Sequence, residues 1–402
     1  MKQNTRFFML LFVTSIFMIG FIMRVPITTL PLMVGDLARE LHVSQQNLGM
    51  LTTIPLIMFV LISNVAAKTI AIFGLKRAVT LALAAIVLGS LLRVVVTIPT
   101  VFIGTILIGL GIAHLNVLMP ALVTQYFPSR IGVYTSVYSL ALMLGSGVFN
   151  FITAPVTATM GWYAMMILLL AVPVLVIVIW LIMQNNLITF TNTWGQKHAE
   201  TGDANFKVWT NLRAWPFLIL FGAQSLINYT FVAWFPALMV RHHVSLVSIG
   251  LIMTLYALIA LPLSILLPSI IANVKTRGLL IILSSAGAIG LVSAIFLFWQ
   301  DTNNFWYWAL ISSGIGVTTG IYFLAAMTLF SVKTNNALET AKLAGMAQAG
   351  GYSIAATGPV LYGIAFEIDP VGNLQNYIFV GVMLVLIVMG FIVATTKHLQ
   401  VH

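Results

Sequence analysis

The sequence contains no cysteine among its 402 residues, and only 6% of its residues are charged. The first absence removes disulfides, thiolate metal sites and a thiol nucleophile. The second excludes a water-soluble core, because a soluble domain carries about 25% charged residues. Acidic groups are scarcest, 8 Asp and Glu against 18 Lys and Arg. No carboxylate lies inside a long apolar run. There is no GxxxxGK[ST] loop for a nucleotide, no HExxH and no carboxylate cluster for a metal. With no nucleophile–base–acid set either, neither an enzyme nor a bound cofactor or metal is expected. The net charge of +10 is spread too thinly for a nucleic-acid surface.

What fills the chain is apolar: 60% hydrophobic residues and a mean hydropathy of +1.07. A membrane-spanning helix needs about 20 apolar residues. Twelve such runs are present, at 7–33, 45–67, 76–97, 101–125, 131–158, 163–184, 214–240, 246–271, 278–299, 305–331, 342–366 and 375–396. They are continuous rather than alternating, so they predict helices and not the strands of a barrel. The first run is too long for a signal peptide and is read as a retained helix.

Loop charges give the orientation. With the N-terminus inside, fourteen Lys and Arg (Lys2, Arg6, Lys68, Lys76, Arg77, Arg130, Lys197, Lys207, Arg213, Lys275, Arg277, Lys333, Lys342 and Lys397) fall on the cytoplasmic side. Only Arg39 and Arg241 fall outside. That bias predicts a multi-pass protein of the plasma membrane with both termini cytoplasmic. A polar stretch divides the spans, giving a six-helix bundle at 1–184, a cytoplasmic linker at 185–213 and a second bundle at 214–402. Both halves repeat a pattern. Gly109-Leu110-Gly111 is followed by Gly147 and Pro155, and Gly314-Ile315-Gly316 by Gly351 and Pro359. The expected fold is all-α, with twelve transmembrane helices in two pseudo-symmetric six-helix bundles.

Arg24 stands inside the first apolar run. A charge at the bilayer centre costs roughly 2.5–3.5 kcal/mol on insertion scales, so an intramembrane Arg is a functional candidate. Arg24, Thr28 and Pro31 share one helix face at i, i+4 and i+7. Gln224 and Asn228 repeat the i, i+4 spacing in the seventh span, Ser225 and Tyr229 form the adjacent row, and Gln348 and Tyr352 repeat it in the eleventh. These stripes offer donors and acceptors to a solute, or bind helix to helix. His114 and Asn116 lie about 200° apart around the fourth helix and cannot share a face. His114 is either packed and neutral or a proton-coupling group, since imidazole titrates near neutrality. Arg93, near the outer end of the third span, is expected to be structural, paired with Asp36 or Glu40, or to supply charge at an outer site. Trp234 reads as an interfacial anchor or an outer gate, and Tyr138 and Tyr322 as further lining residues.

Several segments in order resemble one family. They are Met23-Arg24-Val25-Pro26-Ile27-Thr28-Thr29-Leu30-Pro31 in the first span, Gly49-Met50-Leu51-Thr52-Thr53-Ile54-Pro55 in the second and Gly89-Ser90-Leu91-Leu92-Arg93 in the third. Asn116-Val117-Leu118-Met119-Pro120 follows in the fourth, Gln224-Ser225-Leu226-Ile227-Asn228-Tyr229 in the seventh and Gly345-Met346-Ala347-Gln348 through Pro359 in the eleventh. Over nearly its whole length the chain resembles a major facilitator superfamily transporter of the cyanate/nitroimidazole (CynX/NimT) branch. The loop after the second span departs from the superfamily pattern, keeping Gly74-Leu75-Lys76-Arg77 without its Asp. Leu115 stands where the branch has Gly, and Asn228 where it has an aromatic residue.

The resemblance implies a cavity between the bundles lined by Arg24, Thr28, Asn116, Gln224, Asn228, Tyr229, Gln348 and Tyr352. It implies alternating-access transport, active or facilitative, of a small polar or anionic solute such as a cyanate-like anion or nitroimidazole-like heterocycle. The expected partners are that solute and the bilayer, with no nucleic acid, and the chain is read as a monomer. Two other readings remain at this stage. One is a transporter-like receptor without turnover. The other is a drug-efflux carrier, disfavoured for cations by the lack of an intramembrane carboxylate.

Overall fold

The computed structural model describes residues 2–43, 48, 50–193, 206–369 and 372–399. Residues 194–205 of the expected linker, with His198, Glu200 and Asp203, lie outside the described residues. So do residues 45–47 and Gly49, at the expected start of the second span. Every regular element among the described residues is helical. This is what lipid demands, since a helix satisfies its own backbone polar groups.

The first span is fragmented into α1 (Lys2–Ile22), α2 (Val25–Thr28), a 3-10 turn (Leu30–Met33) and α3 (Val34–Glu40). The second comprises α4 (Met50–Ile62), a 3-10 turn (Ser63–Val65) and α5 (Ala66–Phe73). Single helices then follow: α6 (Leu75–Val94), α7 (Ile98–Tyr126), α8 (Ile131–Met160), α9 (Trp162–Thr193) and α10 (Trp215–Arg241). The eighth span is split into α11 (Leu246–Leu258) and α12 (Leu261–Asn273). The chain ends with α13 (Thr276–Phe296), α14 (Phe305–Val332), α15 (Ala337–Ile368) and α16 (Asn373–Thr395).

Eleven stretches among the described residues are long and apolar enough to cross a membrane. The expected span 342–366 is not one of them, although it lies within the 32-residue α15. Gly, Ala, Gln348, Ser353 and Thr357 dilute its apolar character. The second span also differs from expectation, because the helix runs on to Phe73 and carries Lys68, exposed, within α5 rather than in a loop.

The chain forms two compact units, Met1–Phe206 with Asn335–Gly345, and Lys207–Thr334 with Met346–His402. In the first unit α6 and α7 cross at backbone contact. A Cβ on Gly104 would stand 2.5 Å from the Gly89 carbonyl oxygen, and one on Gly111 2.5 Å from that of Ala82. Such small-residue crossings let dispersion act where no hydrophobic drive exists between helices in lipid. The first helix meets α8 the same way. A Cβ on Gly20 would stand 2.6 Å from the Tyr138 carbonyl oxygen, and one on Gly145 2.0 Å from that of Phe21. Gly147, the glycine that the repeat singled out, has open space around it. Gly145 is therefore the contact.

Glu339, overlooked in the sequence, is a buried carboxylate in the first turn of α15. Its Oε2 accepts from the Asn335 N–H at 3.0 Å and its Oε1 from Asn336 Nδ2 at 2.6 Å, while its own N–H donates to Asn336 Oδ1 at 3.0 Å. This reciprocal cap satisfies donors that a helix start leaves open, at the end where negative charge is favoured. Glu339→Ala should lower stability by about 1–2 kcal/mol. Glu339→Gln, which keeps an accepting oxygen, should recover much of that loss, as read from melting of the purified chain in detergent.

In the second unit α10 packs on α15. A Cβ on Gly351 would meet Phe221 at 2.7 Å and the Gly222 nitrogen at 3.0 Å. Trp234 Nε1 donates to the Pro359 carbonyl at 2.8 Å, and Gly363 leaves room for its ring. Tyr322, a sequence candidate for lining, is 0% exposed and donates to the Leu283 carbonyl at 3.0 Å inside the bundle. Just past the end of α10, burial pushes the His242 imidazole below its ordinary value, against the pull of Asp301 at 3.7 Å.

Candidate functional site

In the first unit the site is built on the break in the first helix. The regular helix stops at Ile22, Met23 and Arg24 form a turn, and α2 restarts with Pro26 in its first turn. Proline supplies no N–H, so it fits a helix start and not an interior. Arg24 is the residue preceding α2, and its carbonyl accepts from the N–H groups of Ile27 and Thr28, both at 3.0 Å, and from Thr28 Oγ1 at 3.2 Å. Arg24 and Thr28 are thus half-buried neighbours on one short helix.

Arg93 reaches the same break from α6. It is 2% exposed; its Nε and Nη2 donate to Thr105 Oγ1 at 3.1 and 2.9 Å, and its Nη1 to the Pro26 carbonyl at 3.1 Å. Among the described residues the expected ion pair with Asp36 or Glu40 is not found. Asp36 bonds Arg39 one turn along its own short helix, α3, as i, i+3 neighbours do.

On α7, Asn116 is half-buried and Leu115 fully buried. His114 Nδ1 lies 3.2 Å from the Leu110 carbonyl, and its Nε2 lies 3.2 Å from Thr69 Oγ1. A carbonyl only accepts, so Nδ1 carries a proton.

In the second unit the polar stripe of α10 meets α15 and α11. Gln224, Ser225, Gln348 and Tyr352 are buried, while Asn228 and Tyr229 are half-buried. Ser225 Oγ donates to Gln224 Oε1 at 3.1 Å. The Tyr256 hydroxyl donates to Asn228 Oδ1 at 2.8 Å and lies 3.5 Å from Thr319 Oγ1. The Tyr256 ring stacks on Phe231 at 4.1 Å, which fixes the hydroxyl. Tyr352 stands edge-on to Phe221 at 5.1 Å and to Tyr229 at 6.3 Å. The result is an oriented amide beside aromatic walls. Sequence reasoning missed Tyr256 and Thr319. Each stands in a largely apolar run where a hydroxyl is common and no periodicity marks it.

A helical, multi-pass chain with a broken first helix and a polar, carboxylate-free set in each of two units is the framework of a membrane carrier. The chain matches the Major Facilitator Superfamily over residues 10–359 and belongs to that family. It is 30% identical over 363 residues to a Bacillus subtilis (strain 168) protein described as "Uncharacterized transporter YycB", covering 88% of this chain and 86% of that one. It is 28% identical over 358 residues to the 2-nitroimidazole transporter of Escherichia coli (strain K12), covering 87% of each. Both names agree with the resemblance read from the motifs, and these relatives are transporters rather than enzymes.

Among solved structures, the proton:xylose symporter XylE bound to 6-bromo-6-deoxy-D-glucose superposes with a TM-score of 0.75 at 16% identity, covering 97% of this chain and 95% of that one. The human organic anion transporter MFSD10 (TETRAN) gives 0.69 at 13% identity, with 94% and 98% covered. These likenesses carry the fold alone. The protein is a multi-pass membrane transporter of the superfamily and handles a small-molecule solute.

Proposed function

We propose that the chain moves a small, flat, polar solute, a nitroimidazole-like heterocycle or a cyanate-like anion, across the plasma membrane by alternating access. The bundles 1–184 and 214–402 would be the moving parts, joined by the 185–213 linker, with both termini cytoplasmic as the loop charges favour. Arg24 supplies positive charge and a planar fork of donors. Thr28, Asn116, Gln224, Asn228, Tyr229, Gln348 and Tyr352 supply hydrogen bonds and shape.

The observation that carries this reading is the Tyr256–Asn228 bond at 2.8 Å. It engages the amide oxygen of Asn228, so what that amide has left to offer a ligand is chiefly its Nδ2 donors. Amide donors beside aromatic walls suit a π-faced solute bearing oxygen or negative charge, and Arg24 with no carboxylate in the set disfavours a cation. The name of the Escherichia coli relative points the same way.

The test is flux of 2-nitroimidazole and of cyanate into proteoliposomes. Saturable flux of at least one is expected. Tyr256→Phe should raise KM several-fold, about the cost of one hydrogen bond. Binding without any passage across a tight bilayer would replace this reading with that of a receptor.

A further inference from the structure

We infer that Arg93 is a positioning residue, a buried cation that clamps the break in the first helix and thereby sets the direction of Arg24. The inference rests on the reading of Arg24 as a solute contact.

Three observations carry it. Arg93 is 2% exposed, and among the described residues no carboxylate lies within ion-pair distance of it. A cation buried without a counter-ion is expensive and persists where its donors are spent on something specific. Here they are spent on two neutral oxygens. Nε and Nη2 grip Thr105 Oγ1, which in turn donates to the Val101 carbonyl at 2.7 Å. Nη1 reaches the Pro26 carbonyl, 67 residues away in sequence and two residues from Arg24.

The acceptor is placed where a donor is most needed. The first helix is interrupted at Met23–Arg24 and passes into a 3-10 turn at Leu30. Pro26 has no N–H to give the Ile22 carbonyl and Pro31 none to give that of Ile27, so the helical ladder is thinned across this break. Just before the break, α1 is pressed against α8, where a Cβ on Gly145 would meet the Phe21 carbonyl oxygen. Arg93 at Pro26 and Gly145 at Phe21 thus hold the two ends of a six-residue stretch that contains Arg24. The planar guanidinium suits this role, since it binds Thr105 and Pro26 at once; an ammonium is a single point of donors. Arg93 acts on solute through the backbone of α2.

The absence of cysteine makes the test direct, because one introduced thiol takes a unique spin label. Ile27→Cys places a nitroxide on α2, and Ile103→Cys on α7 serves as the control. In the full-length chain, Arg93→Lys should raise mobility at position 27 and leave position 103 unchanged. Thr105→Val should do the same should Arg93→Lys fail to fold. In unlabelled protein, Arg93→Lys should raise KM for 2-nitroimidazole or cyanate about tenfold, with Vmax within about twofold. The double variant Arg93→Lys/Arg24→Gln should be no worse than Arg24→Gln alone, the non-additivity expected of groups acting as a unit.

An unchanged spectrum at position 27 in both variants overturns the clamp. Additive losses overturn its coupling to Arg24. A mobile label together with wild-type KM in Arg24→Gln upholds the clamp and overturns the reading of Arg24 instead.

Discussion

Arg24→Gln should depress solute flux about tenfold or more while leaving the melting temperature within a few degrees of wild type. A charge-assisted hydrogen bond contributes about 1.5–3 kcal/mol, and glutamine keeps only neutral donors. The helix break should survive the change, because the backbone carbonyl of residue 24, which accepts from Ile27 and Thr28, is kept in the variant. Arg24→Lys separates charge from geometry. Lysine restores the cation without the planar fork, so partial recovery is expected for a small anion and little for a heterocycle. Initial rates in proteoliposomes, normalised to inserted protein, decide the matter. Wild-type flux in both variants would remove Arg24 from solute recognition.

Gly145→Val should be the most damaging substitution among the glycines of the first unit. Its Cβ would stand 2.0 Å from the Phe21 carbonyl oxygen and 2.9 Å from the carbonyl carbon. Backbone cannot rotate aside as a side-chain tip can, so α8 and the first helix must separate. Overpacking of this kind costs about 1–3 kcal/mol. The displaced segment is Phe21, three residues before Arg24, so transport should fall further than stability alone explains. Gly147→Val is the control. It lies two residues along the same helix with nothing within 4 Å, and should leave melting and flux near wild type. Equal melting temperatures for the two variants would mean that α8 and the first helix do not meet as described.

These two residues show where the sequence was legible. Arg24 was visible because charge within an apolar run is costly whatever surrounds it. Gly145 was not, because its importance is a distance to a chain segment more than a hundred residues earlier. The repeated Gly-x-Gly pairs show the same limit. Gly109 faces Met58 and Pro55 while Gly111 faces Ala82 and Ile86; Gly314 faces Ser293 while Gly316 faces Tyr256 and Ile259. Both pairs wedge one helix between two others, but in opposite order along the motif. The pattern announced close packing without naming the neighbours.

The sequence by itself determined the all-helical membrane class, the approximate positions of most spans and the scarcity of intramembrane carboxylates. These follow from local requirements, since lipid demands internally satisfied backbone and about 20 apolar residues for each crossing. Only the tertiary structure decided that Arg93 serves the Pro26 carbonyl rather than an acidic partner, that Tyr256 orients Asn228, and that Glu339 caps its own helix. Each of the first two bonds joins residues on different helices, and a helix's own periodicity carries no record of which neighbour it will meet. The cap escaped because a lone carboxylate beside an apolar run reads as loop until its bonds to Asn335 and Asn336 are seen.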